Sequence, residues 1–161
     1  MLVGVLGGCE KEFNYERFDV YIENSASHAI GFYAGAYTPA YPQYLYPDTL
    51  WPGSEYWETI SDNVLNLPQG GRRVLFSSRS GVNMNIDAFY DWLPRDTVSI
   101  YVFHTDTLRK YGWDGVREEY RVLQRYDLGW LDMKILNNNV PYPPTDTMKT
   151  MKMYPPYGVN R

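Results

Sequence analysis

Thr97-Val98-Ser99-Ile100-Tyr101-Val102-Phe103 is the most apolar extended run in the chain, and its reading decides the fold. Val98, Ile100 and Val102 share one face at the two-residue period of a strand, and Tyr101 and Phe103 make the other face apolar as well. A strand with two apolar faces needs cover on both, so this run is expected at the centre of a sheet. Val98, Ile100 and Val102 are expected core. Around it, Phe18 to Glu23 alternates, with Phe18, Val20 and Ile22 on one face. Ile30 to Tyr37 resumes an extended pattern after the polar stretch 24–28, and the two segments read as a hairpin. Val74 to Ser78, Tyr120 to Tyr126 and Asn139 to Tyr142 are further expected strands.

Helical spacing is rarer. Ile86, Phe89, Tyr90 and Leu93 recur at helical intervals between Asn85 and Pro94, and short helices are expected at Trp113 to Glu119 and Leu131 to Leu136. Strands outnumber helices and breaks are frequent. The expected class is mainly β: an antiparallel β-sandwich, immunoglobulin- or transthyretin-like, with a few short helices. Sixteen Tyr, eleven Pro and thirteen Gly agree with a loop-rich β domain. The expected organisation is a lipoprotein signal remnant and tether over 1–16, then one β-rich domain over 17–161.

A formal charge of −4 argues against a nucleic-acid partner. A single cysteine, Cys9, excludes an internal disulfide and a cysteine-based zinc cluster. That cysteine ends Leu6-Gly7-Gly8-Cys9, the form of a bacterial lipobox, in which small residues let a signal peptidase cut beside a thiol that carries diacylglycerol. Multiple acyl chains on one residue give stable anchoring. Only eight residues precede Cys9 and none is basic, short of a complete signal, so Met1 reads as a misassigned start or a trimmed end. The alternative is a first strand over Leu2 to Leu6 with Cys9 as a small buried residue.

Two histidines, His28 and His104, leave no room for a histidine-rich metal site, and no metal site or cofactor is expected. His104 and Asp106 lie two apart and offer a base and its orienter, or ordinary turn residues. Ser77, Ser78 and Ser80 lack a nucleophile-elbow pattern, and Gln69 to Arg73 lacks the lysine and hydroxyl of a phosphate loop and reads as a hairpin turn. Glu118 and Glu119 read as solvated charges. No catalytic residue is assigned. Phe32 to Trp57 carries nine aromatics punctuated by prolines, with Asp48 and Glu55 its only charges. Tyr41, Tyr44, Tyr46, Trp51, Tyr56 and Trp57 are candidate ligand-binding residues, suited to stacking on sugar rings or holding a protein partner. They serve equally as a buried cap over one end of the sandwich. Tyr-Pro-Pro occurs twice, at Tyr142 and Tyr154. The C-terminal stretch reads as an extended latch packed by Met151, Met153, Tyr154 and Tyr157.

DTVSIYVFHTDTL (96–108), REEYRVLQRYDL (117–128), NNNVPYPPT (137–145) and MKMYPPYG (151–158), in that order, resemble an uncharacterised lipoprotein family of the Bacteroidales. The resemblance covers about the last 70 residues well and the stretch near Asn24 loosely. It implies secretion, lipidation at Cys9 and an outer-membrane address, on the periplasmic face or the cell surface, and it transfers no catalytic residue. Glu10-Lys11-Glu12 is similar to, though poorer in acids than, the surface-export signal such lipoproteins carry; a solvated tether explains it equally. The expected role is a lipid-anchored structural or interaction protein of the cell envelope, with an envelope protein or a glycan as partner. A glycan-binding accessory lipoprotein using 32–57 is the alternative.

Overall fold

The computed structural model describes residues 18–35, 66–77, 86–91 and 96–159. Seven strands are described: β1 (Asp19–Asn24), β2 (Ile30–Gly35), β3 (Arg72–Ser77), β4 (Thr97–His104), β5 (Gln124–Gly129), β6 (Asn139–Tyr142) and β7 (Lys152–Tyr154). Three short helices accompany them: α1 (Ile86–Asp91), α2 (Thr105–Glu118) and α3 (Trp130–Ile135). The fold is mainly β. The strands form two sheets, one in the order β3-β1-β6 and one in the order β2-β4-β5-β7.

β4 holds the interior position its sequence demands, antiparallel to β2 on one side and to β5 on the other. Val98, Ile100 and Val102 are fully buried on one face, in a cluster with Val20 and Ile22 of β1, Phe32 of β2, Leu128 of β5 and Val140 of β6. Both sheets therefore feed one apolar core. The opposite face of β4 is covered separately, with Tyr101 and Phe103 clustered against Val116 of α2 and Val122. Gly31, opposite Phe103 in the ladder, is required there, since a Cβ would sit 2.1 Å from the Phe103 ring.

Two expectations are corrected. The segments at 18–24 and 30–35 do not form a hairpin with each other; β1 is the middle strand of one sheet and β2 an edge of the other. Buried Asn24 directs the crossing. Its Nδ2 donates to the carbonyls of His28 (2.8 Å) and Leu67 (2.9 Å), and its Oδ1 accepts from the Ala26 N–H (3.0 Å). The loop is thereby folded on Asn24, which also ties it to Leu67, rather than closing a ladder. The pairing is also not wholly antiparallel: β1 and β6 run parallel, from Tyr21 opposite Asn139 to Asn24 opposite Tyr142. These strands are far apart in sequence, so no tight turn forces them antiparallel.

The helical expectations hold in part. α1 and α3 lie where the spacing placed them. α2 begins at Thr105, directly after β4, and consists of two helical pieces meeting at Gly112, whose φ of 65° and ψ of 179° break the helix. Only the second piece was legible; the first carries Thr-Asp-Thr, poor helix formers, with Asp106 placed well for the N-terminal turn. β5 starts later than expected, at Gln124. None of the helices among the described residues is long and apolar enough to cross a membrane.

Candidate binding cleft

β6 ends at Tyr142 and β7 at Tyr154, and each is followed by two prolines. Proline has no N–H to donate, so each pair stops its strand. The two stops converge. Pro143, Pro144, Pro155 and Pro156, with Leu123, Gln124, Tyr142, Tyr157, Gly158 and Val159, line a cavity of about 370 Å³. Both Tyr–Pro bonds, 142–143 and 154–155, are cis. The volume lies in the ordinary range of ligand sites.

Three anchors hold the walls. Tyr142 O accepts from the Ser25 N–H (2.7 Å) and the Ser25 hydroxyl (3.1 Å), tying the first turn to the end of β1. Gln124 Nε2 donates to Pro155 O (2.8 Å) and, at longer range, to Arg125 O (3.4 Å), tying the second turn to β5. The Tyr157 hydroxyl donates a short hydrogen bond to Asp146, whose other oxygen lies 3.4 Å from Lys149 Nζ. That donated bond, helped by Lys149, lowers the Asp146 pKa; accepting it, Asp146 raises the Tyr157 phenol above its ordinary value.

Gln124 is the residue of most chemical interest. It is 95% buried by its 5% exposure, and its orientation is set by its partners, both of them carbonyls, which require Nε2 to face them. Oε1 must then face away. It accepts no hydrogen bond among the described residues and is not among the polar atoms sealed from solvent. An acceptor is therefore left open on a residue that lines the cleft.

The tail is tied to the rest of the molecule at several points. Met148 and Met151 are buried in the main core and β7 adds to the edge of β5, while Met153 is partly buried and Tyr154 is exposed. Pro155 is buried, so the second proline pair is a wall as well as a surface.

On the face of the β4–β5 ladder away from the main core lies a buried ion pair. Arg125 Nε and Nη2 donate to the two carboxylate oxygens of Asp127, each at 2.8 Å, and the Ser99 hydroxyl donates to Asp127 Oδ1 at 2.8 Å. Desolvation pulls the Arg125 pKa down, but Asp127 and Tyr120 outweigh it, so the guanidinium is held firmly charged. This is a bidentate structural pair.

His28 and His104 stack at 5.0 Å, an arrangement their separation in sequence did not reveal. His104 Nδ1 accepts from the Asp106 N–H (3.2 Å), and the Asp106 carboxylate stands 3.9 Å away. With its lone pair turned to the helix start, Nδ1 does not donate to a carboxylate as an oriented base does. His104 ends β4 and Asp106 lies in the first turn of α2. No three His, Cys, Asp or Glu side chains among the described residues converge as a metal site. Glu119 pairs with Arg121, and Gln69 and Gly70 form a turn leading into β3, where Arg72 lies 3.7 Å over the Tyr21 ring. Cys9, Ser78, Ser80 and the candidate residues Tyr41, Tyr44, Tyr46, Trp51, Tyr56 and Trp57 lie outside the described residues.

Comparison with protein-family models, curated proteins and solved structures finds no match to this chain.

Proposed function

We propose that this is a lipid-anchored protein of a bacterial outer membrane, held by an acylated Cys9 and serving a structural or interaction role in the envelope. Its two sheets pack as a β-sandwich that presents a binding cleft. The address rests on Leu6-Gly7-Gly8-Cys9 and on the resemblance of 96–158 to Bacteroidales lipoproteins. One observation carries the interaction role: the two Tyr-Pro-Pro turns, whose prolines cannot complete a ladder, converge on a cavity of about 370 Å³.

The test is made in cells, on the full chain behind a complete signal, with Tyr157 replaced by a photo-crosslinking residue. Palmitate labelling, partition into detergent and a crosslinked envelope product are expected, and Cys9→Ala should abolish the label and release the protein. A Cys9→Ala variant that stays membrane-bound removes the anchor, and irradiation without a product removes the interaction role.

A further inference from the structure

We propose that the exposed face of α3, Leu131 and Ile135 beside Trp130 and Lys134, rests on the headgroup layer of a zwitterionic lipid bilayer, with the cleft pointing away from it. This rests on the Cys9 anchor above and names the surface that meets the membrane. Strand directions set the geometry. β1 begins at Asp19 and runs parallel to β6, with Tyr21 opposite Asn139 and the Tyr21 N–H donating to Asn138 O at 2.9 Å. α3 and the turn after it lead directly into β6, so they lie at the end of the sheet where the chain enters. The cleft lies at the other end. Its wall residue Tyr142 ends β6 and is held by Ser25, just past the end of β1. Gln124 starts β5, and α3 follows the far end of that strand. A chain held through Cys9, nine residues before Phe18, is therefore tethered at its α3 end.

The side chains at that end suit a lipid surface. Leu131 is 71% exposed and Ile135 61%, the two most exposed large apolar side chains among the described residues. Four apart on a helix, they lie side by side. The other side chains of α3 are committed elsewhere. Met133 is buried in the main core, and Asp132 accepts from the Gly129 N–H at 2.8 Å. Lys134 Nζ lies 4.1 Å from the centre of the half-buried Trp130 ring. Aliphatic groups enter a bilayer interface, an indole stays at headgroup level, and a lysine stem follows the apolar surface with its ammonium in reach of phosphate. Charge chooses the lipid. The chain carries −4, and α1, whose Tyr90 packs on Trp130, exposes Asp87 and Asp91. An anionic surface would repel these carboxylates, whereas neutral headgroups do not. Two aliphatic side chains hold no protein by themselves; they orient one that an anchor already holds.

The single cysteine makes the test independent of acylation, because the full chain can be coupled through Cys9 to maleimide-bearing lipid in phosphatidylcholine vesicles. A photo-crosslinking residue is placed at 131, at 135 or at 159, and lipid adducts are measured by mass spectrometry. Val159 is the control, since it is apolar and 54% exposed but lines the cleft. Adducts at 131 and 135 should exceed those at 159 by about tenfold, the preference that burying one aliphatic side chain supplies. Leu131→Ser should lower the yield at 135 while leaving the unfolding midpoint unchanged, because the side chain is exposed. Adding phosphatidylglycerol to the vesicles should not raise the yield. Equal yields at the three positions, or the highest at 159, overturn the proposal. Chain-to-chain crosslinks at 131 and 135 in place of lipid adducts make the face a contact between copies and also overturn it. A yield that rises with phosphatidylglycerol overturns the choice of lipid. The anchor fails separately: a chain that takes no palmitate in cells loses the Cys9 reading, and the coupled vesicles still decide which end meets lipid.

Discussion

The ladder of β4 and β5 and the cleft beside β7 meet at Gln124 and are built on opposite terms. The ladder is closed. Aliphatic side chains fill one face, and on the other the Arg125–Asp127 pair has its charges matched and hydrogen-bonded to Ser99. The cleft is open, walled by prolines that cannot complete a ladder. The difference separates residues that hold the fold from residues the fold can spare. Changes in the first group should cost stability; changes in the second should cost binding.

Truncation after Thr145 should have the largest effect, because the tail belongs to both regions. It removes β7 and the buried Met148 and Met151, each worth about 2–5 kcal/mol as a lost core side chain. Denaturant unfolding should show a chain barely folded or unfolded. A truncated chain as stable as the whole would break the comparison by freeing the tail from the core. Next, Asp127→Ala leaves Arg125 charged and buried, and should destabilise by about 3–5 kcal/mol. Ile100→Ala should cost about 2–5 kcal/mol at unchanged m-value.

Much of the closed region was legible in the sequence, and the open one was not. β4 was found because two apolar faces on seven residues demand an interior strand, and Val20 and Ile22 followed from alternation. Which strands pair depends on what a loop does with its polar groups, and nothing in Asn24-Ser25-Ala26-Ser27-His28 announces that Asn24 will reach Leu67. The cleft needed three segments to meet. Its one signal was the repeated Tyr-Pro-Pro at the ends of extended segments; that Gln124 would bridge one of them is a fact of tertiary placement. The Arg125–Asp127 pair was within reach, since residues two apart on a strand share a face. Both sit inside a run that otherwise reads as an ordinary strand.

Smaller effects sharpen the contrast. Burial raises the phenol pKa of Tyr101, to about 12, and raises those of Tyr90, Tyr126 and Tyr142. Raised native values favour the neutral form. Their contribution to stability is thus fully present below the unfolded value of about 10 and is lost as pH rises through the raised ones. Absorbance titration should show these four phenols ionising only late, with alkaline unfolding; ordinary titration of all the tyrosines would place Tyr90, Tyr101 and Tyr126 outside the closed region. Tyr157→Ala, in the cleft wall, should change the unfolding midpoint least. Asp146→Asn should return the Tyr157 phenol toward its ordinary titration, because the bond raising it is gone.

The separation of the two regions is tested most directly by residue-resolved amide shifts in the labelled full chain on making Tyr157→Ala. Shifts concentrated at Leu123, Gln124, Tyr157, Gly158 and Val159, with the amides of β1 and of Val98 to Val102 unmoved, are the expected result. Shifts centred elsewhere, or spread through both sheets, would contradict the account.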